Sequence, residues 1–445
     1  MNTRQVSRVL ATLALLSSTM AYAQTDPGVR PGANGAGAPL PGLTADELNF
    51  FDAGRDDFAE AEGVGDGLGP RFNLDGCGGC HLQPDIGGSS PPVNPQVAVA
   101  SAFGANNTVP AFVTLNGPVR EARFKTLPGG SPDGGVHALF VITGRADSTG
   151  SASGCNLVQE NFAAAAAANN LVFRIPTPVF GTGLMEEIAD QAILNNVAAN
   201  LSAKAALGIS GRVNRNGNDG RISRFGWKAQ NPSGLVFSGE AYNVEMGITN
   251  EAFQTERDET PECQFAQLPN DVTNLAGATG VDTVSAIEKF ALFMRFLDQP
   301  TPSTTAPGGA NSITEGRNAF VNIGCAHCHT PTLPTGNATV VALRNKNVNL
   351  FSDLALHNMG PGLADDISQG AARGDEFRTA PLWGLGKRVF FLHDGRTSNL
   401  LTAIQAHKSN GNLFYPASEA NAVINSFNAL TPSRKQDLLN FLRSL

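Results

Sequence analysis

Two pentapeptides in this 445-residue chain have residue types at a spacing that does chemistry: Cys77-Gly-Gly-Cys80-His81 and Cys325-Ala-His-Cys328-His329. Both read C-x-x-C-H. Two cysteines three positions apart on a tight turn can add their sulfurs across the two vinyl groups of one porphyrin. The adjoining histidine then falls beneath the iron and supplies a nitrogen ligand. One such motif alone could be half of a zinc site. Two copies, each preceded by a glycine (Gly76 and Gly324), favour two covalently bound haem c groups, with His81 and His329 as iron ligands. His327, inside the second motif, reads as a spacer. The remaining cysteines, Cys155 and Cys263, lack the local sequence of a reactive thiol and would pair in an oxidising compartment.

The N-terminus indicates such a compartment. Arg4 and Arg8 precede a short apolar run from Val9 to Ala21, and Ala21-Tyr22-Ala23 places small residues before Gln24. Residues 1–23 therefore read as a secretory signal peptide, and the expected location is periplasmic or secreted. The run is too short for a bilayer, and no later segment reaches about 18 consecutive apolar residues. The formal charge of −8 becomes −10 once Arg4 and Arg8 are removed. An acidic surface argues against nucleic-acid partners and for small neutral or cationic ones.

Elements must carry these motifs. With 49 glycines and 27 prolines, the chain favours long ordered loops between modest helices over a large sheet. An internal repeat is visible. Phe72 lies five residues before Cys77, as Phe320 does before Cys325. Downstream, Phe173-Arg174-Ile-Pro-Thr-Pro-Val-Phe180-Gly181 echoes Phe377-Arg378-Thr-Ala-Pro-Leu-Trp-Gly384. Each half ends on an amphipathic helix. The first runs from Ala286 to Asp298, with Phe290, Phe293 and Leu297 on one face. The second follows Thr431 as N-cap and Pro432 at the first helical position, and carries Leu438, Leu439, Phe441 and Leu442. Between them, residues 299–310 are rich in Pro, Thr and Gly and read as a linker. The expected fold is mainly α: two cytochrome c-like modules with long loop-rich insertions, at residues 24–304 and 305–445. The Ala163–Ala168 run reads as helix without chemistry, and Asn214–Gly220 as an ordinary Asn/Gly turn more than a calcium loop.

What each iron can do depends on its second axial position: a strong ligand makes an electron carrier, an open face admits a small oxidant. His137, His327, His357, His393, His407, Met246 and Met359 are the candidates.

Two stretches, Phe377-Arg378-Thr-Ala-Pro381 and Phe391-Leu-His393-Asp-Gly-Arg396, resemble the second module of bacterial dihaem cytochrome c peroxidases. They also resemble the dihaem enzymes that mature a tryptophan tryptophylquinone cofactor. Further segments resemble the di-haem oxidoreductase family: Gly69-Pro-Arg-Phe72, Phe173-Arg-Ile-Pro-Thr177, Gly183-Leu-Met-Glu186, Ser210-Gly-Arg212, Arg224-Phe-Gly-Trp-Lys-Ala229 and Met246-Gly-Ile-Thr249. The resemblance runs from about residue 60 to the C-terminus. It implies a second-haem ligand on the helix after the His-Asp-Gly turn, which is His407, fourteen residues beyond His393; Met359 is the rival. It also implies that the first haem is the reaction centre. The chain lacks the Phe-Trp-Asp-Gly-Arg turn and the following acid of the peroxidases' first module, so Glu186, or Glu187, is the expected catalytic substitute. His137 could instead cap the first iron, and Trp227 or Trp383 could lie between the haems.

The resulting expectation is a peroxidase-like dihaem oxidoreductase. It would reduce hydrogen peroxide at the His81 haem with electrons entering through a His329/His407 haem from a small c-type cytochrome or cupredoxin. The alternatives are a pure electron-transfer cytochrome and an oxygen-using haem enzyme.

Overall fold

Thr44 starts the first long helix. Its hydroxyl accepts from Glu47 N, and the Glu47 carboxylate accepts from Thr44 N, closing a capping box ahead of helix Ala45–Ala59. This helix buries Phe51, Gly54 and Phe58 against Ala286–Phe296, the amphipathic helix anticipated from its apolar spacing. The pair crosses so closely that a side chain on Gly54 would overlap the Lys289 carbonyl and Phe293. The second half repeats the device. Helix Gly309–Asn322 packs on the C-terminal helix Pro432–Ser444, and a side chain on Gly316 would overlap the Asp437 carbonyl and Phe441.

The true register of the repeat differs from the one expected. Phe320, on the 309–322 helix, has its ring 6.3 Å from His329. Its counterpart is Phe58, on the 45–59 helix, with its ring 5.8 Å from His81. Phe72 instead packs on Phe103 and Phe140. The first half inserts residues 60–76 between helix and motif, so matching by distance from the cysteines picks the wrong phenylalanine.

The computed structural model describes residues 24–103, 106–142, 155–263 and 269–445, so the expected signal peptide lies outside the described residues. Among the described residues are fourteen α-helices, and of those residues 34% are helical and 11% lie in strands or isolated bridges. None of the helices is long and apolar enough to cross a membrane. The strands are two to four residues long. Glu121–Phe124 lies between Val136–His137 and Leu171–Arg174, all antiparallel, with Glu121 opposite Arg174. Leu356–Asn358 pairs with Glu376–Arg378, setting His357 opposite Phe377.

Helix Phe162–Ala167 forms where the alanine run suggested it. Residues 214–223 make a small hairpin whose turn is closed by Asn216 and Asp219 accepting from nearby backbone N–H groups. Cys155 and Cys263 are joined in a disulfide. The two halves are stitched together. Asp26, near the N-terminus, takes both Arg443 Nε and Nη2 at 2.7 Å and also accepts from Leu400 N, so this segment seats on the C-terminal half. The linker is tied down too, with Thr301 N donating to Gly35 O and Ser303 N to Ser444 O.

The close crossings make a test. Gly316→Ala should cost about 1–3 kcal/mol by forcing the two helices apart, read as a lower midpoint in thermal or urea unfolding. An unchanged midpoint would mean that the crossing is not tight.

Candidate functional site

Each C-x-x-C-H turn opens into its own cavity. In the first, Cys77–Cys80 is a single helical turn with His81 N bonded to Cys77 O. His81 Nδ1 lies 3.0 Å from the Gly88 carbonyl, which can only accept, so Nδ1 carries the proton and Nε2 keeps its lone pair. His329 repeats this with Phe351 O at 3.0 Å. Burial pushes both imidazoles down to about 4, so they stay neutral. Burial also pushes the Cys77 and Cys325 thiols up to about 12. Among the described residues no group of three His, Cys, Asp or Glu side chains could hold a metal ion.

The second cavity, about 220 Å³, is walled by Phe320, Phe377, Phe391 and many leucines, and receives Cys325, Cys328 and His329. His407 lines it as well. It follows helix Leu400–Ala406, and its Nδ1 is 2.8 Å from Ala403 O, leaving Nε2 free; burial lowers its pKa. His329 and His407 thus present two neutral imidazoles to one cavity. His357 lines the cavity but is engaged at both nitrogens, Nε2 with Asp353 at 2.9 Å and Nδ1 with Glu419 at 2.8 Å. His393 stacks on Phe377 with centroids 4.3 Å apart, and Met359 lies in the same wall.

The first cavity, about 160 Å³, holds Cys77, Cys80 and His81 and no other histidine. Its polar wall carries Glu121, Arg123, Arg174 and Glu245, and its apolar wall Phe58, Phe290, Met246 and Met294. Glu121 and Glu245 share a hydrogen bond. Burial and the Glu121 charge push Glu245 up to about 8, against the pull of Asn73, whose Nδ2 donates to it at 2.5 Å. Burial also opposes ionisation of Glu121, but Arg123, bonded at 2.6 Å, and Arg174 outweigh it and lower its pKa. At neutral pH the pair therefore holds one proton, on Glu245.

Glu186, the expected acid, is placed elsewhere. Its carboxylate receives Arg295 Nη1 at 3.0 Å and the Gly234 N–H at 2.6 Å, where it anchors the start of helix Gly234–Met246. Glu187 also pairs with Arg295. The helix Thr182–Glu186 buries its first four residues and turns Glu186 towards Arg295, so neither carboxylate lines the first cavity. His137 does not cap that cavity either; it stacks on Phe124 at 3.8 Å and bonds Asp133 at 2.7 Å, with Glu160 at 3.5 Å. Glu121 and Glu245 escaped sequence reasoning because they lie 124 positions apart in unremarked segments.

Trp227 lines both cavities and is fixed by Nε1 donating to Ile175 O at 2.9 Å. Trp383 packs on Gly181 and lines neither. Beside Trp227, Asp365 joins Arg174 at 2.7 Å and Lys228 at 3.0 Å in a fully buried cluster.

These residues fit haem. Each cavity is apolar, with paired sulfurs and a buried imidazole offering Nε2. Arg378 and Arg388 line the second cavity, buried and without an ion-pair partner among the described residues, and burial lowers both to about 10. Two unpaired buried cations suit the two propionates of a haem. In the first cavity Arg174 Nε, Gln230 Oε1 and Ser238 Oγ are buried with no hydrogen-bond partner.

The sequence matches the family described as "Di-haem oxidoreductase, putative peroxidase" over residues 131–445. No curated protein matches it. Among solved structures, it is similar to a hydrazine synthase of Kuenenia stuttgartiensis at 16% identity and a TM-score of 0.23. That match covers 38% of this chain and 56% of the other, so this chain spans little more than half of its length. It is also similar to a MauG-like protein associated with microbial copper homeostasis, at 16% identity and a TM-score of 0.29, covering 61% and 90% of the two chains.

The shared proton gives a pH test. A carboxyl raised from 4.5 to about 8 favours the folded state below pH 4.5, and that contribution is lost as pH rises to about 8. The thermal midpoint of the wild type should fall over this window relative to Glu245→Gln. Parallel curves for the two proteins would remove the proton from Glu245.

Proposed function

The chain belongs to the di-haem oxidoreductase family, and from that premise we propose an exported dihaem c-type cytochrome oxidoreductase that reduces hydrogen peroxide at its first haem. Cys77, Cys80 and His81 would hold one haem, and Cys325, Cys328 and His329 the other, with His407 as the second axial ligand of the latter. Bound there, the groups would supply one-electron redox chemistry and, at an open iron face, a place for a small oxidant.

The observation that carries this reading is the asymmetry of the two cavities. The second brings two neutral imidazoles together, as a low-spin electron carrier needs. The first has one imidazole and a carboxyl–carboxylate pair. Glu121 can accept a proton from one oxygen of a bound peroxide, and Glu245 can return one to the leaving oxygen. Arg123 holds Glu121 by a salt bridge, and Asn73 holds Glu245 by a hydrogen bond. Trp227 lines both cavities and would pass electrons between them. The donor would be a small c-type cytochrome or cupredoxin acting at the second haem.

One observation favours the second reading, an electron-transfer cytochrome without substrate: Met246 and Met294 line the first cavity, and a thioether is a haem ligand elsewhere.

Electron paramagnetic resonance separates the two. The peroxidase reading expects a high-spin ferric signal beside a low-spin one, with the high-spin signal lost on adding hydrogen peroxide. Two low-spin signals indifferent to peroxide, before and after half-reduction, would leave the electron carrier. His407→Ala should remove the low-spin signature of one haem only, and spectra unchanged in both would overturn its assignment.

A further inference from the structure

Oxidisable rings are scarce in this chain: 26 phenylalanines, but three tyrosines and two tryptophans. A buried tyrosine among phenylalanines therefore calls for a reason. Tyr242, in the middle of helix Gly234–Met246, is 4% exposed, and its hydroxyl donates to Glu62 Oε1 at 2.7 Å. A phenylalanine would fill the same apolar space without burying a hydroxyl against a carboxylate.

Tyr242 is also wired to the first motif. Its ring meets Phe290 edge-on at 5.1 Å, Phe290 meets Phe58 at 6.1 Å, and Phe58 meets His81 at 5.8 Å. Phe290 and Phe58 line the first cavity, so the phenol sits one layer behind it. Met246 and Glu245, on the same helix, line that cavity directly. Glu62 is half-buried, with its backbone N–H held by Asp75 O, so the acceptor is fixed in place. Burial, with Asp66, Glu60 and Asp57 adding, pushes Glu62 up to about 7, which makes it a better proton acceptor than an exposed carboxylate.

We propose that Tyr242 and Glu62 form a proton-coupled electron donor to the first haem site, a reserve used when the second haem cannot deliver. The inference rests on the peroxide reading above. Reduction of one hydrogen peroxide to two waters takes two electrons and two protons. Tyr242 supplies one electron, to the site at His81 that peroxide has oxidised; the other comes from the iron sites. The Tyr242 O–H bond breaks, and its proton crosses the 2.7 Å hydrogen bond to form an O–H on Glu62, leaving a neutral phenoxyl. The protons of the product waters come from solvent. One electron from the donor protein and the proton on Glu62 restore the tyrosine.

The test is freeze-quenched electron paramagnetic resonance of the full dihaem protein, mixed with hydrogen peroxide and no donor. Ring-deuterated tyrosine is compared with unlabelled protein. The expected result is an organic radical signal that narrows on deuteration, is lost in Tyr242→Phe and persists in Tyr415→Phe. Glu62→Gln keeps a hydrogen-bond acceptor but cannot take the proton, so the radical should form more slowly. A purely structural tyrosine predicts no such radical. Haem spectra that respond to peroxide without a Tyr242-dependent radical would overturn this inference alone. Haem spectra that ignore peroxide would overturn the peroxide reading and this inference with it.

Discussion

An imidazole that is to bind iron in a dry cavity must be neutral and must have its free nitrogen aimed inward. Burial meets the first demand, and one hydrogen bond meets the second. A backbone carbonyl takes the Nδ1 proton of His81, His329 and His407, and burial keeps each ring uncharged. The carbonyls belong to Gly88, Phe351 and Ala403, in a loop, a loop and a helix. The helix pairs, which cross closely at Gly54 and Gly316, bring Phe58 and Phe320 against the His81 and His329 rings.

The wall between the cavities is held electrostatically. Arg174 comes from the first half and lines the first cavity; Asp365 comes from the second half; Lys228 lies beside Trp227. Lys228 Nζ also donates to the carbonyls of Arg373 and Glu376 and sits 4.0 Å over the Phe377 ring, which lines the second cavity. Burial lowers Lys228 to about 8, and the Asp365 carboxylate opposes that shift. A buried cluster of this kind adds little net stability, but removing one member strands the others. It therefore fixes the geometry of the junction, and Trp227 with it. The first cavity uses charge differently: Arg123 and Arg174 hold Glu121 ionised, and burial together with that charge keeps the proton on Glu245.

Legibility in the sequence followed locality. The two C-x-x-C-H motifs, the amphipathic helices Ala286–Phe296 and Pro432–Ser444 and the cap of the last helix are written in adjacent residues. The His393–His407 offset was legible because a turn and one short helix separate the two. Long-range matches failed where an insertion intervened. Phe72 was paired with Phe320 by its distance from a cysteine, yet residues 60–76 displace it, and Phe58 occupies the equivalent place. Glu186 was expected at the first cavity because it follows Phe173-Arg174, but the direction of one short helix gives it to Arg295.

Taken alone, the sequence located the two C-x-x-C-H motifs, because such a motif is five consecutive residues and needs no fold to be recognised. It also located the amphipathic helices Ala286–Phe296 and Pro432–Ser444. Only the tertiary structure decided which acids face the first cavity, since Glu121 and Glu245 meet through a strand and a helix 124 positions apart. Only it decided that Trp227 and not Trp383 borders both cavities, and that His407 shares a cavity with His329. The physical reason is the same in each case. Burial and hydrogen-bond partners set which nitrogen, carboxyl or ring can act, and both are properties of surroundings assembled from distant segments.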